Sequence, residues 1–233
     1  MENQIVSRED WLTARRALLA EEKALTRAQD ALAAKRRALP MVRIDKPYRF
    51  ATEAGEKTLL ELFDGRRQLL IYHFMFGADW SEGCPSCSFW ADNFDHIAPH
   101  LAARDTTFLA ISKAPLATLL AYRKRMGWSF PWASAGASGF NEDFHVTFDG
   151  PGGEHNFAPR TGDYSEMPGI SAFLRDGDRV LHSYSTYGRG VEAVNGAYHF
   201  LDLTALGRNE AELPWAMAWI KRRDRYEQKG DAA

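Results

Sequence analysis

Two residues in this sequence could carry redox chemistry, and they stand three apart: Cys84 and Cys87, within Gly83-Cys84-Pro85-Ser86-Cys87. A thiolate is the attacking species in thiol–disulfide exchange, and a second thiol one helical turn away can resolve the mixed disulfide. Cys84 would attack and Cys87 would resolve. A helix start suits the first cysteine, because free backbone N–H groups and the positive end of the dipole stabilise a thiolate there. Pro85 stiffens the bridge and loses no needed N–H in the first turn. Two plainer readings compete. Histidines could complete a zinc site, but none of the 7 has a recognisable ligand spacing. The pair could also be inert or a structural disulfide. With only 2 cysteines, a disulfide-stapled scaffold and a four-cysteine zinc site are both excluded.

The elements that must position this pair alternate between strand and helix. The apolar run Leu69 to Phe76 reads as a buried strand, followed by a loop from Gly77 to Gly83. A helix should begin around Cys84 to Ser88, carry Phe89, Trp90, Phe94 and Ile97 on one side, and end near Pro99. Thr106 to Ser112 is the next strand, and Pro115 to Met126 the next helix, with Gly127 just past its end. This β–α–β–α order implies parallel pairing in a sheet covered by helices. Asp149 to Met167 reads as a long loop. Gly169 to Arg175 and Arg179 to Ser185 form a hairpin about Asp176-Gly177-Asp178. Leu213 to Gln228 reads as a last helix, with Trp215 and Trp219 on one buried face.

Ahead of all this, Ser7 to Leu39 reads as one long helix, capped by Ser7 with Asp10 and stopped by Pro40. Trp11, Leu18, Leu25, Leu32 and Leu39 recur every seven residues, widened by Ala14 and Ala28. Glu21 and Lys35 hold the other seam positions, which argues against a strong coiled coil. The expected organisation is a helical arm over 1–40 and a domain over 41–233. The arm would pack on its own domain or on a dimer mate.

The 233 residues carry 29 basic and 31 acidic side chains, a net charge of -2. That excludes a globally basic nucleic-acid binder. No stretch approaches the ~20 apolar residues of a membrane span. The polar Met1 to Asp10 does not read as a secretory signal, so a cytoplasmic protein is expected.

Several stretches resemble a known family. They are Tyr72-His73-Phe74-Met75-Phe76-Gly77, Gly83-Cys84-Pro85-Ser86-Cys87-Ser88 and Pro168-Gly169-Ile170-Ser171. His182-Ser183-Tyr184-Ser185-Thr186-Tyr187-Gly188-Arg189-Gly190 and Tyr198-His199-Phe200-Leu201-Asp202 belong with them. From about residue 40 to 225 the chain resembles the thioredoxin-like superfamily. More closely, it resembles the bacterial family catalogued as domain of unknown function 899. The resemblance implies an α/β fold, a central mixed β-sheet flanked by helices, with the redox pair opening the helix after the central strand. It also implies a cis-proline facing the cysteines, for which Pro168 is the candidate.

The departures from that pattern matter. Thioredoxins place Trp before the first cysteine; here Gly83 stands there and the nearest is Trp80. The strand offers Tyr72 and His73 in place of a buried Asp, and His73 could relay protons near neutral pH. Relative to Cys84, Ser81 fits the Ser/Thr of the peroxiredoxin pattern, but Gly77 replaces its proline. The polar cluster holding His182 and Arg189 suits either a substrate-facing surface or a loop-anchoring network. Phe130-Pro131-Trp132 with Trp80 could form a collar around the cysteines, or plain core.

The leading expectation is a thiol–disulfide oxidoreductase acting on a protein or small-molecule disulfide. Without a Gly-x-Gly-x-x-Gly, its electrons would come from an external thiol or reductase rather than a bound cofactor, and no metal is called for. The alternatives are a peroxiredoxin-like peroxidase and a non-catalytic thioredoxin-fold module that dimerises through its N-terminal helix.

Overall fold

A computed structural model describes residues 4–227. Met1–Asn3 of the polar start and Gln228 of the expected last helix lie outside the described residues. The chain divides after Pro40 into two compact units. In the first, Ser7 caps helix α1 (Arg8–Arg37). Its Oγ accepts from the Asp10 N–H at 3.1 Å and donates to the Asp10 carboxylate at 2.6 Å. Glu9 and Asp10 open the helix, and Lys35, Arg36 and Arg37 close it, so charge matches the dipole at both ends. The helix stops two residues short of the expected Leu39, at its Ala38 C-cap.

The second unit is a mixed sheet clasped by helices. In chain order it runs β1 (Val42–Ile44), β2 (Arg49–Thr52), β3 (Gly55–Thr58), β4 (Gln68–His73), α2 (Pro85–Ala91), α3 (Ala98–Ala102) and β5 (Thr106–Ser112). It continues with α4 (Leu116–Met126), β6 (Trp132–Ser134), α5 (Phe140–Asp143), β7 (Glu154–His155) and β8 (Ala158–Pro159). It closes with β9 (Gly169–Asp176), β10 (Arg179–Tyr187) and α6 (Gly196–Asp202). The large sheet has the order β1-β10-β9-β4-β5-β6-β2-β3. β4 and β5 run parallel across the α2–α3 crossover, and the β9–β10 hairpin lies antiparallel on the other side of β4. This is the thioredoxin-like arrangement that the resemblance implied.

Alternation along β4 assigns the two cores. Leu69 and Ile71 point to one face, among Phe63, Leu109, Phe140 and Phe173. Tyr72 and Phe74 point to the other, among Cys87, Trp90, Tyr122 and Trp132. Phe130 and Trp132 are 1% and 2% exposed, so they are core and not a collar. Among the described residues, no helix is long and apolar enough to cross a membrane.

Two sequence expectations fail for a physical reason. The single helix from Cys84 to Pro99 stops at Ala91 and resumes as α3. Its polar side chains are spent on other segments: Asp92 accepts from Trp128, Asn93 accepts from the Ala197 N–H, and Asp95 accepts from Ser129. The last helix, Leu213 to Gln228, does not form over its described part. That segment holds only a 3-10 turn, Arg223–Arg225. Glu210 gathers the Tyr198 hydroxyl, the Met217 N–H and the Trp219 indole N–H on one carboxylate oxygen. Met217 takes a left-handed φ of 74° there. Trp219 is partly buried, but Trp215 is exposed and not core.

Candidate active site

The loop after β4 returns Cys84 to the strand end, where its N–H donates to the Met75 carbonyl at 3.1 Å. Gly83 is required by close approach. A Cβ there would lie 2.6 Å from Cε1 of Phe74, so the Trp of the thioredoxin pattern has no room. Trp80 lies over Gly77 instead: a Cβ on Gly77 would stand 2.8 Å from its indole Nε1.

Cys84 caps α2 and Pro85 fills its first turn. The Ser88 N–H and hydroxyl both donate to the Cys84 carbonyl, at 2.9 and 2.8 Å. With that hydroxyl spent as a donor, the Tyr122 O–H donates to it at 2.9 Å. Arg222 completes the shell. Its Nε and Nη2 donate to the Gly83 carbonyl at 3.0 and 2.7 Å, its Nε also reaches the Tyr122 oxygen at 3.1 Å, and Nη1 pairs with Glu82 at 2.9 Å.

Both thiols are free; Cys84 is partly exposed and Cys87 is buried. Their acidities are pushed apart. Cys84 is drawn down to about 7, first by the hydrogen bond Cys87 gives it, then by the Cys87 and Ser86 N–H groups and the Arg222 charge, against the opposing effect of burial. Cys87 is pushed well up, first by burial and then by its bond and proximity to Cys84. The Met75 N–H and the Tyr72 hydroxyl oppose that rise. Tyr72 is buried and also donates to the Cys87 carbonyl at 3.3 Å. Beside the pair lies a pocket of ≈ 260 Å³, walled by Met75, Cys87, Trp90, Pro168, Arg189 and Met217.

The residues singled out in the sequence fall into two groups. Pro85, Pro168 and Arg189 stand with the cysteines or their pocket. Pro168 is not cis, since no described peptide bond is cis. Ser81 and Trp80 belong to the preceding loop, and Ser81 lines a separate shallow hollow with Tyr122 and Arg125. His73 and His182 are elsewhere. His73 shares the parity of Leu69 and Ile71, so it points across the sheet, where it stacks on Phe140 and Phe144. A hydrogen-bonded row joins it to His182 through Ser171 and Ser185, with contacts of 2.8, 2.8 and 2.7 Å. Neither histidine serves the thiols. Sequence reading missed Ser88, Tyr122 and Arg222; Arg222 stands in the run Lys221-Arg222-Arg223, where nothing local marks it from its neighbours.

The His73 row has a measurable consequence. Burial, helped by His182, holds His73 down at about 3. The unfolded chain binds a proton below about pH 6.5 that the folded chain refuses, so stability falls as pH drops from 6.5 toward 3. Buried Glu166, raised to about 7, acts in the opposite sense, which makes a difference measurement necessary. Between pH 7.5 and pH 5, the wild type should lose about 2 kcal/mol more than His73→Gln in urea unfolding. Equal losses would refute the assignment.

A family model matches residues 1–226 of the chain. The chain belongs to the bacterial proteins of unknown function, DUF899. No curated protein matches it. Among solved structures, the Mycobacterium tuberculosis peroxidoxin BcpB is 15% identical, over 68% of this chain and 92% of that one, with a TM-score of 0.47. Xanthomonas campestris peroxiredoxin Q is 14% identical, over 70% and 98%, with a TM-score of 0.48.

Proposed function

We propose that this DUF899 protein is a thiol–disulfide oxidoreductase with Cys84 as nucleophile and Cys87 as resolving thiol. The observation that carries this reading is the asymmetry of the pair: the thiol of the partly exposed residue is the acidic one, and the buried cysteine keeps its proton. The Cys84 thiolate attacks one sulfur of a substrate disulfide. The S–S bond breaks, the mixed disulfide forms, and the departing sulfur leaves as a thiolate that takes a proton from water. Cys87 then attacks Cys84 Sγ, its proton passing to the departing substrate thiolate, with the Tyr72 hydroxyl and Met75 N–H as donors to the developing charge. The second substrate sulfur departs with that proton. The substrate has gained two electrons, and the protein holds a Cys84–Cys87 disulfide that an external thiol or reductase must reduce. The pocket beside Cys87 would seat an apolar portion of the substrate, which is a protein or small-molecule disulfide.

The test is the pH dependence of iodoacetamide alkylation at Cys84, read by mass spectrometry on the reduced protein. A midpoint near 7 is expected. Arg222→Met removes a nearby cation and should raise it by up to about one unit. A wild-type midpoint at or above about 8.5, the ordinary thiol value, would sink the proposal in favour of an inert pair. Turnover of a hydroperoxide without any disulfide exchange would move the site to the peroxidase reading.

A further inference from the structure

The pocket that Cys87 lines separates two classes of substrate that the redox reading leaves open. An extended polypeptide gains affinity by adding a strand to a free sheet edge. The backbone around this pocket is already paired. The Met167 N–H donates to the Val146 carbonyl at 2.8 Å, and the Phe148 N–H to the Ser165 carbonyl at 2.9 Å, about the Thr147–Glu166 bridge. Pro168 has no N–H to give. From Gly169 onward β9 is flanked on both sides, with His73 of β4 and Tyr187 of β10 opposite its first residue. Of the other walls, the Met75 carbonyl accepts from the Cys84 N–H at 3.1 Å, and the Val191 carbonyl accepts from the Trp90 indole at 2.9 Å.

What the pocket offers is side chains. Met75, Trp90, Pro168, Val191 and Met217 give it apolar walls. A cavity of about 150 Å³ already holds benzene, so ≈ 260 Å³ has room for one substituted ring. The Cys87 thiol donates to Cys84, so a ring seated against Cys87 keeps its own sulfur next to the nucleophile. Arg189 and Glu192 share the wall but are not equally engaged. Glu192 Oε1 accepts from Arg208 at 2.7 Å, and Asp202 holds the same guanidinium at 2.8 and 2.7 Å. Among the described residues, Arg189 has one ion-pair partner, the other Glu192 oxygen at 3.4 Å. Its remaining N–H donors suit a carboxylate, which a guanidinium holds through two parallel bonds.

We propose that the substrate is a small aromatic disulfide bearing a carboxylate, with its ring in the apolar pocket and its carboxylate on Arg189, rather than a protein disulfide. This rests on the redox reading of the cysteines. Each reduced chain passes two electrons to one such disulfide, releases two arylthiols and keeps the Cys84–Cys87 disulfide.

The test is single-turnover reduction by the reduced full-length protein, followed by the absorbance of released arylthiol. The probes are dithiodinicotinate, with a carboxylate on each pyridine ring, and its uncharged parent dithiodipyridine. Dividing each rate by that of dithiothreitol on the same probe removes the difference in leaving group. The normalised rate should favour dithiodinicotinate by at least about tenfold, and should saturate with its concentration because binding precedes exchange. Arg189→Gln should bring the preference to within about twofold of unity, and Arg189→Lys, which keeps the charge, should retain more of it. The interchain disulfides of insulin should react, on the same scale, at least about tenfold more slowly than dithiodinicotinate. Equal normalised rates for the two aromatic probes, a preference unmoved by Arg189→Gln, or insulin reduced as fast as dithiodinicotinate would each overturn this assignment and leave the redox reading standing. No exchange with any of the three would overturn the redox reading, and this assignment with it.

Discussion

Cys84→Ser is expected to abolish disulfide reduction, by more than about 10³-fold, the scale on which losing a nucleophile acts. A serine hydroxyl cannot ionise near neutrality, so the donors around position 84 would have no thiolate to stabilise. Cys87→Ser should fail differently. Its first step survives, because Cys84 is the partly exposed thiol, yet the mixed disulfide then has no resolving sulfur. Incubation with a small aromatic disulfide should therefore leave one covalent adduct per chain on Cys84, visible by intact mass and released by dithiothreitol. Full turnover by Cys84→Ser, or an adduct on Cys87 in place of Cys84, would reverse or remove the assigned roles. Cys87→Ala, which leaves no side-chain donor at that position, should raise the Cys84 midpoint, because the largest stabilising influence on that thiolate is the Cys87 hydrogen bond.

Phe74→Ala carries the largest expected loss of stability, about 3–5 kcal/mol in urea unfolding. Phe74 is 1% exposed and packs its ring edge-on or tilted against Tyr72, Tyr122, Trp128 and Trp132, with centroids 4.7–6.4 Å away. Removing the ring leaves a cavity among rigid aromatics that cannot collapse into it. The ring is also the floor under Gly83, so the peptide that presents Cys84 should loosen and the alkylation midpoint should rise. A loss below about 1 kcal/mol would show that the neighbouring rings close the gap, contrary to this packing.

Where local chemistry decides an element, the sequence was legible. Thr106 to Ser112 is β5 to the residue, and Gly127 takes the left-handed C-cap of α4 at φ 67°. The Asp176-Gly177-Asp178 turn joins β9 to β10 as expected. The strand–loop–cysteine–helix order at the site was equally local. Tertiary capture was not legible. Nothing near Leu213 announces that Glu210 will fold the following segment onto its carboxylate, or that Arg222 will reach the carbonyl before Cys84. His73 is a different kind of miss, because alternation already contained the answer. Adjacent residues of a strand face opposite sides, so once Tyr72 is placed with Cys87, His73 belongs to the far core. The cis form of Pro168 came from the resemblance alone, and this chain holds Pro168 at the pocket with a trans bond.

The borders of the sheet bear on whether one copy's strands can join another's. An eight-stranded sheet has two outer strands whose free backbone groups can template the strand of another molecule. Here those strands are β1, of 3 residues, and β3, of 4. Each carries charge: Arg43 pairs with Asp45, and Glu56 with Arg49. β1 covers β10 only from Val180 to His182. The uncovered remainder begins where the β9–β10 register slips between His182 and Tyr184, and such a bulge twists a strand away from the flat geometry that intermolecular pairing needs. A sheet of another molecule that met these borders would find a three-residue or a four-residue charged stub, or a twisted stretch, and none of the three offers a straight edge.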